Sequence, residues 1–80
     1  MKEFPKLKEN QTAILRAEIS TGHVLDESFN IVVDNKQNVY TVFESVEEAI
    51  NFSNKLLDEK PDIEIVIYGS EKQVLHFLTN

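Results

Sequence analysis

The sequence contains no cysteine and no tryptophan, and it has two glycines and two prolines among its 80 residues. Without cysteine there is no disulfide, no thiolate nucleophile and no cysteine-ligated zinc or iron–sulfur site. Gly22 and Gly69 do not form the glycine-rich loop before a helix that binds nucleotide phosphates. Thiol chemistry and phosphate-loop nucleotide binding are therefore excluded, and a reducing, cytoplasmic setting is expected.

Long apolar runs are also missing. The apolar stretches are a few residues long, far short of the ~20 residues that cross a bilayer, and no apolar run of a secretion signal follows the lysine-rich start. A soluble protein without a membrane segment is expected. Residues 1–10, which include Pro5, are expected to form a mobile N-terminal segment, and residues 11–80 are expected to form a single domain.

Positive charge is scarce. Fourteen Asp and Glu residues against eight Lys and Arg leave a net charge of −6, and Arg16 is the single arginine. Nucleic-acid affinity rests on cationic side chains that displace counterions from phosphates, so nucleic acid is not expected as a partner. An acidic chain favours basic partners, or uses its charge for solubility.

The segment Ser45 to Lys60 has the pattern of one amphipathic helix. Ser45 stands where an N-cap belongs, and Glu48 follows at the spacing of a capping box. Pro61 cannot continue a helix, so we predict that the helix ends at Lys60. The stripe predicted to face the core recurs at helical spacing and consists of Val46, Ala49, Ile50, Phe52, Ser53, Leu56 and Leu57.

Runs of β-branched and aromatic residues on both sides of this helix predict strands. The clearest is Ile63 to Tyr68, whose continuous apolar character favours an interior position in a sheet. Gln73 to Leu78 is predicted to return as the second arm of a hairpin. Upstream, Phe29 to Asp34 and Asn38 to Phe43 are predicted to form another hairpin.

The segment Thr12 to Ser20 fits two patterns. As a strand it places Leu15, Ala17 and Ile19 on one face; as a helix its apolar stripe is interrupted by Glu18. The strand is the preferred interpretation. The predicted order is then β-β-β-α-β-β, an α+β domain in which a single amphipathic helix packs on one face of a mostly antiparallel sheet of four to five strands. Many unrelated small bacterial domains share such an order, so the fold alone carries no function.

These strands contain more apolar residues than one covered face needs. The face under the helix is predicted to consist of Leu15, Ala17, Ile19, Phe29, Ile31, Val33, Ile63, Ile65 and Ile67. The opposite face is predicted to contain Ile14 and, as a candidate interaction face, Val32, Tyr40, Val42, Val66 and Tyr68. Soluble monomers seldom expose such a patch, so we expect something to cover it.

Two coverings are available for this face. The N-terminal segment could fold back as a lid through Phe4 and Leu7, or a second subunit could pack face to face about a two-fold axis. Pro5 and its flanking lysines make the segment a poor buried lid. A homodimer is therefore the favoured covering.

Histidines offer few candidates for chemistry. His23 lies close to Asp26 and Glu27 in a predicted loop, and a histidine base needs such a carboxylate, but proximity of this kind is common in any acidic loop. His76 is expected to be a half-exposed strand residue. No catalytic residue is predicted, and the chain is expected not to be an enzyme.

An acidic cluster is predicted around the end of the helix, and it consists of Asp58, Glu59, Asp62 and Glu64. Its spacing matches neither a calcium loop nor a His-Glu-x-x-His zinc motif, so no metal and no cofactor is predicted. Asp58 and Glu59 stand near the helix C-terminus, where the helix dipole disfavours negative charge. The cluster is either a solvated surface or a site for a basic partner.

The leading hypothesis is a small, acidic, non-enzymatic interaction or regulatory domain that binds another protein or a second copy of itself. The alternative hypothesis is a small-molecule-binding or enzymatic domain that uses the sheet and the His23 loop. That alternative requires a deep apolar pocket with converging polar groups.

Overall fold

The computed structural model describes residues 3–80, in which one helix packs on a five-stranded antiparallel sheet. The elements follow in the order β1 (Thr12–Glu18), β2 (Val24–Leu25), β3 (Tyr40–Phe43), α1 (Val46–Glu59), β4 (Ile63–Tyr68) and β5 (Val74–Thr79). The predicted α+β class and the order β-β-β-α-β-β are confirmed. Residues 1 and 2, the start of the segment predicted to be mobile, lie outside the described residues.

β1 is the central strand, because three other strands pair with it. β4 lies along one side over residues 13–18 of β1. The other side is shared end to end by β3, which pairs with residues 12–15, and by β2, which pairs with residues 16 and 17. β5 pairs with β4 at the edge of the sheet. β4 is thus interior, as its apolar pattern predicts.

α1 connects two strands that flank β1. β3 and β4 are both antiparallel to β1, so they run parallel to each other with β1 between them. The helix therefore crosses over β1 and covers one face of the sheet. The buried core between them consists of Ile14, Leu25, Ile63, Ile65 and Ile67 from the sheet side and Ala49, Leu56 and Leu57 from α1.

α1 begins and ends where the local sequence predicts. Ser45 is extended (φ −149, ψ 162), and its hydroxyl accepts a hydrogen bond from the Glu48 N–H at 3.2 Å. Lys60 ends the helix by donating its N–H to the Leu56 carbonyl at 2.8 Å. The Thr12 hydroxyl donates to the Ser45 carbonyl at 3.2 Å and so ties the N-cap to β1. No helix within residues 3–80 has the length and apolar content needed to cross a membrane.

The N-cap gives a testable contrast between two serines. We expect Ser45→Ala to lower the free energy of unfolding by about 1 kcal/mol, because a helix N–H loses its acceptor. Ser53→Ala should be near neutral or slightly stabilising, since the buried Ser53 hydroxyl has no hydrogen-bond partner within the described chain. Urea denaturation of both variants measures the difference. Equal stability of wild type and Ser45→Ala would contradict the capping role.

The predicted strand from Phe29 to Asp34 is wrong. These residues form an irregular loop in which Ile31 makes an isolated bridge to Leu25. A strand does occur earlier, at β2, inside the segment predicted as the His23 loop. Since β2 and β3 both pair with β1, the predicted hairpin between residues 29–34 and 38–43 does not form.

Two polar side chains explain why this segment is a loop. Asp26 accepts hydrogen bonds from the N–H groups of Ser28 and Asn30 at 2.8 and 3.0 Å. Gln37 accepts from two further N–H groups, those of residues 33 and 34, at 2.7 and 3.1 Å. Side-chain acceptors of this kind take the backbone donors that a strand would offer to its neighbour.

The assignment of β1 residues to the two sheet faces also differs from the prediction. Ile14 lies opposite Ile67 and is fully buried on the helix side, although it was predicted on the outer face. Leu15 lies opposite Tyr40 and Val66, on the face away from the helix. Ala17 alternates with Arg16 and shares the face of Leu15. The helix side of β1 therefore includes Arg16, a charged residue that shares the face of Ile14 and is buried.

Other residues predicted under the helix are exposed instead. Ile19 follows the end of β1, and Ile31 and Val33 belong to the loop between β2 and β3. Val33, at 83% exposure, is largely in solvent. Without a strand at residues 29–34, no alternation directs these side chains toward the core.

Candidate functional site

The candidate site is the face of the sheet that points away from α1. We call it the second face. Directly paired residues of antiparallel strands share a face, so the strand register defines its composition. Row by row across the sheet, its members are Tyr40, Leu15, Val66 and Phe77; Val42, Ala13, Tyr68 and Val74; and Val24, Ala17, Glu64 and Thr79. Glu64 is the one charged residue among these twelve, whereas 28% of the residues of the whole chain are charged. The second face is therefore a mostly apolar surface.

Four of the five residues predicted for an interaction face lie together on the second face; they are Tyr40, Val42, Val66 and Tyr68. The fifth, Val32, lies in the loop beside β2, where its N–H donates to the Val24 carbonyl at 3.1 Å. Sequence reasoning missed Val74 and Phe77. The alternation of Phe77 with His76 is the signal that could have placed Phe77 on this face. Val74 has the same phase as His76 and lies opposite Tyr68 because the register shifts between Ile67 and Tyr68.

β5 supplies the most open part of the second face. The side chains of Val74 and Phe77 are 60% and 59% exposed, and Val42 on β3 is 43% exposed. β5 is also an edge strand with one side unpaired in the sheet. It has no charged residue or proline to discourage pairing with another chain, although a register shift at its start bends the strand.

Phe4 covers another part of the second face. Its ring centroid lies 5.2 Å from that of Tyr40 and 5.6 Å from that of Tyr68, with interplanar angles of 72° and 83°. Ala13 stands between these tyrosines on β1 and is fully buried. The Lys72 ammonium lies 5.5 Å from the centroid of the Phe4 ring. The lid contact that the sequence analysis considered thus forms at Phe4, and it leaves Phe77 and Val74 open.

Tyr40 is half-buried in the covered part of the second face. Burial, and to a smaller extent the neighbouring Tyr68, raise the pKa of the Tyr40 phenol above its ordinary value. Beside it a cavity of about 190 Å³ is lined by Glu3, Pro5, Asn38, Val39, Tyr40 and Val42. The N-terminal segment thus leaves space beside Tyr40, and the lining of this space includes the carboxylate residue Glu3 as well as apolar residues.

The carboxylates near His23 in the sequence are directed elsewhere. Asp26 is buried and accepts from the Gln37 side chain at 2.8 Å as well as from its own loop. Hydrogen bonds, first that from Gln37 and then that from Asn30, hold the pKa of the Asp26 carboxyl below its ordinary value. Glu27 accepts from the Thr41 hydroxyl at 2.7 Å. The ring of His23 is exposed in the turn after β1.

A second, larger groove of about 460 Å³ lies at the other end of β1 from His23. It is lined by Glu9, Asn10, Gln11, Thr12, Glu44, Ser45, Val46, Gly69, Ser70, Gln73 and Leu75. The Gln11 side chain donates to the Glu44 carboxylate at 2.7 Å within it. The groove is wide, most of its lining residues have polar side chains, and it does not contain His23. It therefore differs from the apolar pocket near the His23 loop that the alternative hypothesis requires.

Arg16 is a buried charge next to the loop that connects β2 and β3, residues 26–39. Its side chain is 2% exposed, its Nη2 donates to the Thr41 hydroxyl, and its Nη1 has no hydrogen-bond partner within residues 3–80. Desolvation lowers the pKa of the guanidinium, while the charges of Glu27 and Asp26 oppose this shift. Arg16 pairs with the end of β2, next to the point where β3 begins. It thus lies next to both ends of the loop that connects β2 and β3.

The acidic residues at the end of α1 do not converge on one point. Asp58, Glu59 and Asp62 are exposed, whereas Glu64 lies on the second face opposite Ala17 and Thr79. In the part of the chain that the structure describes, no three His, Asp or Glu side chains are arranged to hold a metal ion. The helix ends without a basic residue in its last turn.

Comparisons with known proteins found no matching family model, no matching curated protein and no matching solved structure.

Proposed function

We propose that this protein is a small, acidic, non-enzymatic interaction module that binds a second copy of itself through the second face. The observation that carries the proposal is the open apolar surface of Val42, Val74 and Phe77, which continues into the half-buried Leu15 and Val66. Large exposed apolar surfaces usually mark a contact with another protein. The lack of cysteine supports a reducing, cytoplasmic setting.

Charge favours this face over the rest of the surface for self-association. Two copies that each carry a net charge of −6 repel each other, and burying a carboxylate at an interface is costly. The second face contains one carboxylate, that of Glu64, and it lies in the row farthest from Phe4. Two copies that meet through this face therefore desolvate few charges.

The dimensions of the molecule support a dimer of this kind. The molecule measures 32 × 28 × 18 Å. A face that extends along the two longer dimensions, 32 and 28 Å, has an area comparable with the ~800 Å² that each partner buries in a standard interface. A two-fold axis would place the same patch on both sides, as in most homodimers.

Sedimentation equilibrium from micromolar to millimolar concentration tests the dimer. We expect wild type to dimerise reversibly and Val66→Glu to raise the dissociation constant at least about tenfold, because a carboxylate would be desolvated at the centre of the contact. Val33→Glu is the matched control, since it adds the same charge on an exposed loop. Its dissociation constant should equal that of wild type.

Two results would contradict the proposed dimer. One is a wild type that stays monomeric over the whole concentration range, together with an equally stable Val66→Glu monomer. The other is an equal loss of association in Val66→Glu and Val33→Glu, which would show that net charge alone controls self-association. Circular dichroism of each variant establishes that the monomer remains folded.

A further inference from the structure

We propose that the hollow filled by Phe4 is a docking site for the same residue of the second copy, so that the two copies exchange their N-terminal segments. We call this hollow the aromatic slot and define it by Ala13, Tyr40, Tyr68 and Lys72. The proposal rests on the proposed dimer and names the contact that completes it. Phe4 fills the slot of its own chain in the monomer and the slot of its partner in the dimer.

The aromatic slot is shaped for one aromatic ring. Ala13 supplies a small side chain as its floor, and the tyrosines on either side meet the Phe4 ring edge to face at 5.2 and 5.6 Å. Such pairs contribute beyond the area they bury. The Lys72 ammonium, 5.5 Å from the ring centroid, adds a cation–π contact. An aliphatic side chain could fill the space but would lose these contacts.

The segment that carries Phe4 is weakly attached to its own domain. Between residues 3 and 11 the described chain forms no helix and no strand. Its local hydrogen bonds lie at the far end, where Lys8 and Gln11 bond to each other at 2.8 and 3.0 Å. Pro5 restricts the conformations of the free segment and so lowers the entropy lost on docking. Phe4 can therefore move to the slot of another copy with little loss, because it makes the same ring contacts there.

Charge complementarity favours a second copy as the source of the segment. Residues 1–10 contain Lys2, Lys6 and Lys8 against Glu3 and Glu9, a net charge of +1, whereas the whole chain carries a net charge of −6. A segment of positive charge laid on an acidic partner offsets part of the repulsion between the two bodies. Exchange therefore places the positively charged segment of each copy on the acidic body of the other.

The chain between Phe4 and β1 is long enough for this exchange. Residues 5–11 can span roughly 23–25 Å when extended, at about 3.3–3.6 Å per residue. Sheets that pack face to face lie about 10 Å apart. Phe4 can therefore reach the facing slot while β1 stays in place. Because each copy has one Phe4 and one slot, a two-fold exchange fills both slots and closes the assembly at two chains.

Isotope-filtered NMR on the wild-type chain tests the exchange directly. Labelled and unlabelled copies are mixed at a concentration where sedimentation shows the dimer. We expect intermolecular NOEs from the Phe4 ring of one copy to the Tyr40 and Tyr68 rings of the other, and their intensity should grow with the dimer fraction. Phe4 NOEs confined to one copy within an established dimer would overturn the exchange and leave the proposed function standing. A wild type without any dimer would remove both proposals.

Variants of Phe4 provide an independent readout. Phe4→Ala should raise the dimer dissociation constant at least about tenfold, whereas Phe4→Tyr should keep it near the wild-type value because the ring is retained. Phe52→Ala is the matched control, since it removes the same ring from α1, where Phe52 is 40% exposed and contacts Phe43, away from the second face. A Phe4→Ala chain that dimerises as tightly as wild type, or more tightly, would show that Phe4 is only a lid on its own domain.

Discussion

Arg16→Ala should lower the free energy of unfolding by about 3 kcal/mol, because it removes a buried side chain and leaves its hydrogen-bond partners facing a void. Arg16 is 2% exposed, so its aliphatic stem is part of the packing on the helix side of the sheet. Its guanidinium donates to the Thr41 hydroxyl, which in turn donates to Glu27 near the start of the loop of residues 26–39. Loss of both contributions should loosen the loop as well as the strands.

Arg16→Met separates the two contributions. Methionine keeps much of the stem volume but removes a desolvated charge whose Nη1 has no partner within the described residues. Replacing buried charges by apolar side chains of similar volume is often neutral or stabilising, so we expect a loss of about 1 kcal/mol or less. The large effect of Arg16→Ala is therefore attributed to packing more than to charge.

Urea denaturation of both variants at one pH measures this difference, and Thr41→Val is the matched change on the other side of the hydrogen bond. The double variant Arg16→Met with Thr41→Val gives the coupling energy of the pair. A loss in Arg16→Met as large as in Arg16→Ala would show that the guanidinium bonds stabilise the loop. Two harmless variants would contradict the role of Arg16 in holding the loop.

Local signals predicted the second half of the chain well. The helix was predicted from Ser45 to Lys60, and these two residues are its caps. The strand predicted from Ile63 to Tyr68 is β4 with the same bounds. Both predictions depend on nearby residues, namely an N-cap, a proline after the helix and a run of β-branched residues. Such signals do not require knowledge of the rest of the fold.

The first half could not be predicted in the same way, because distant partners decide its structure. The apolar run at residues 31–33 has strand propensity, yet one side of β1 is already occupied by β2 and β3. Asp26 and Gln37 then satisfy the loop's backbone N–H groups. Phe29 takes a left-handed backbone (φ 66), which no propensity scale favours for an aromatic residue.

The candidate site was predictable in part. Strand alternation identified Tyr40, Val42, Val66 and Tyr68, because each lies in a strand that was correctly found. Phe4 was considered only as a poor lid, since its lysine-rich surroundings argued against docking. Its ring nevertheless docks, because Ala13 leaves a hollow between two tyrosines that come from different strands. A contact among three separate segments leaves no pattern in the sequence.

The alternation of β1 was predicted one residue out of phase because both phases are apolar. Ile14 and Leu15 are adjacent, and the prediction placed Ile14 together with Arg16 on the face away from the helix. In the structure Arg16 is buried against Thr41 instead, which brings Ile14 into the core. A shift of one residue in a strand moves every side chain to the other face.

A pair of alanine variants tests this assignment. Ile14→Ala should lower the free energy of unfolding by about 3 kcal/mol, because Ile14 is fully buried against β4 and α1 and its loss leaves a cavity. Leu15→Ala should cost about half as much, since Leu15 is only half-buried on the second face. Urea denaturation of both variants at a concentration where the chain is monomeric gives the ratio.

The same pair separates the two faces in the dimer. Leu15→Ala should weaken association, because Leu15 lies beside Val66 in the row that leads to Phe77. Ile14→Ala should leave the dissociation constant of the folded chain unchanged, since Ile14 points to the helix. If Leu15→Ala instead proved the more destabilising variant and had no effect on association, β1 would have the alternation predicted from sequence. Arg16 would then face solvent, and Ala13 would leave the second face, which would remove the floor of the aromatic slot.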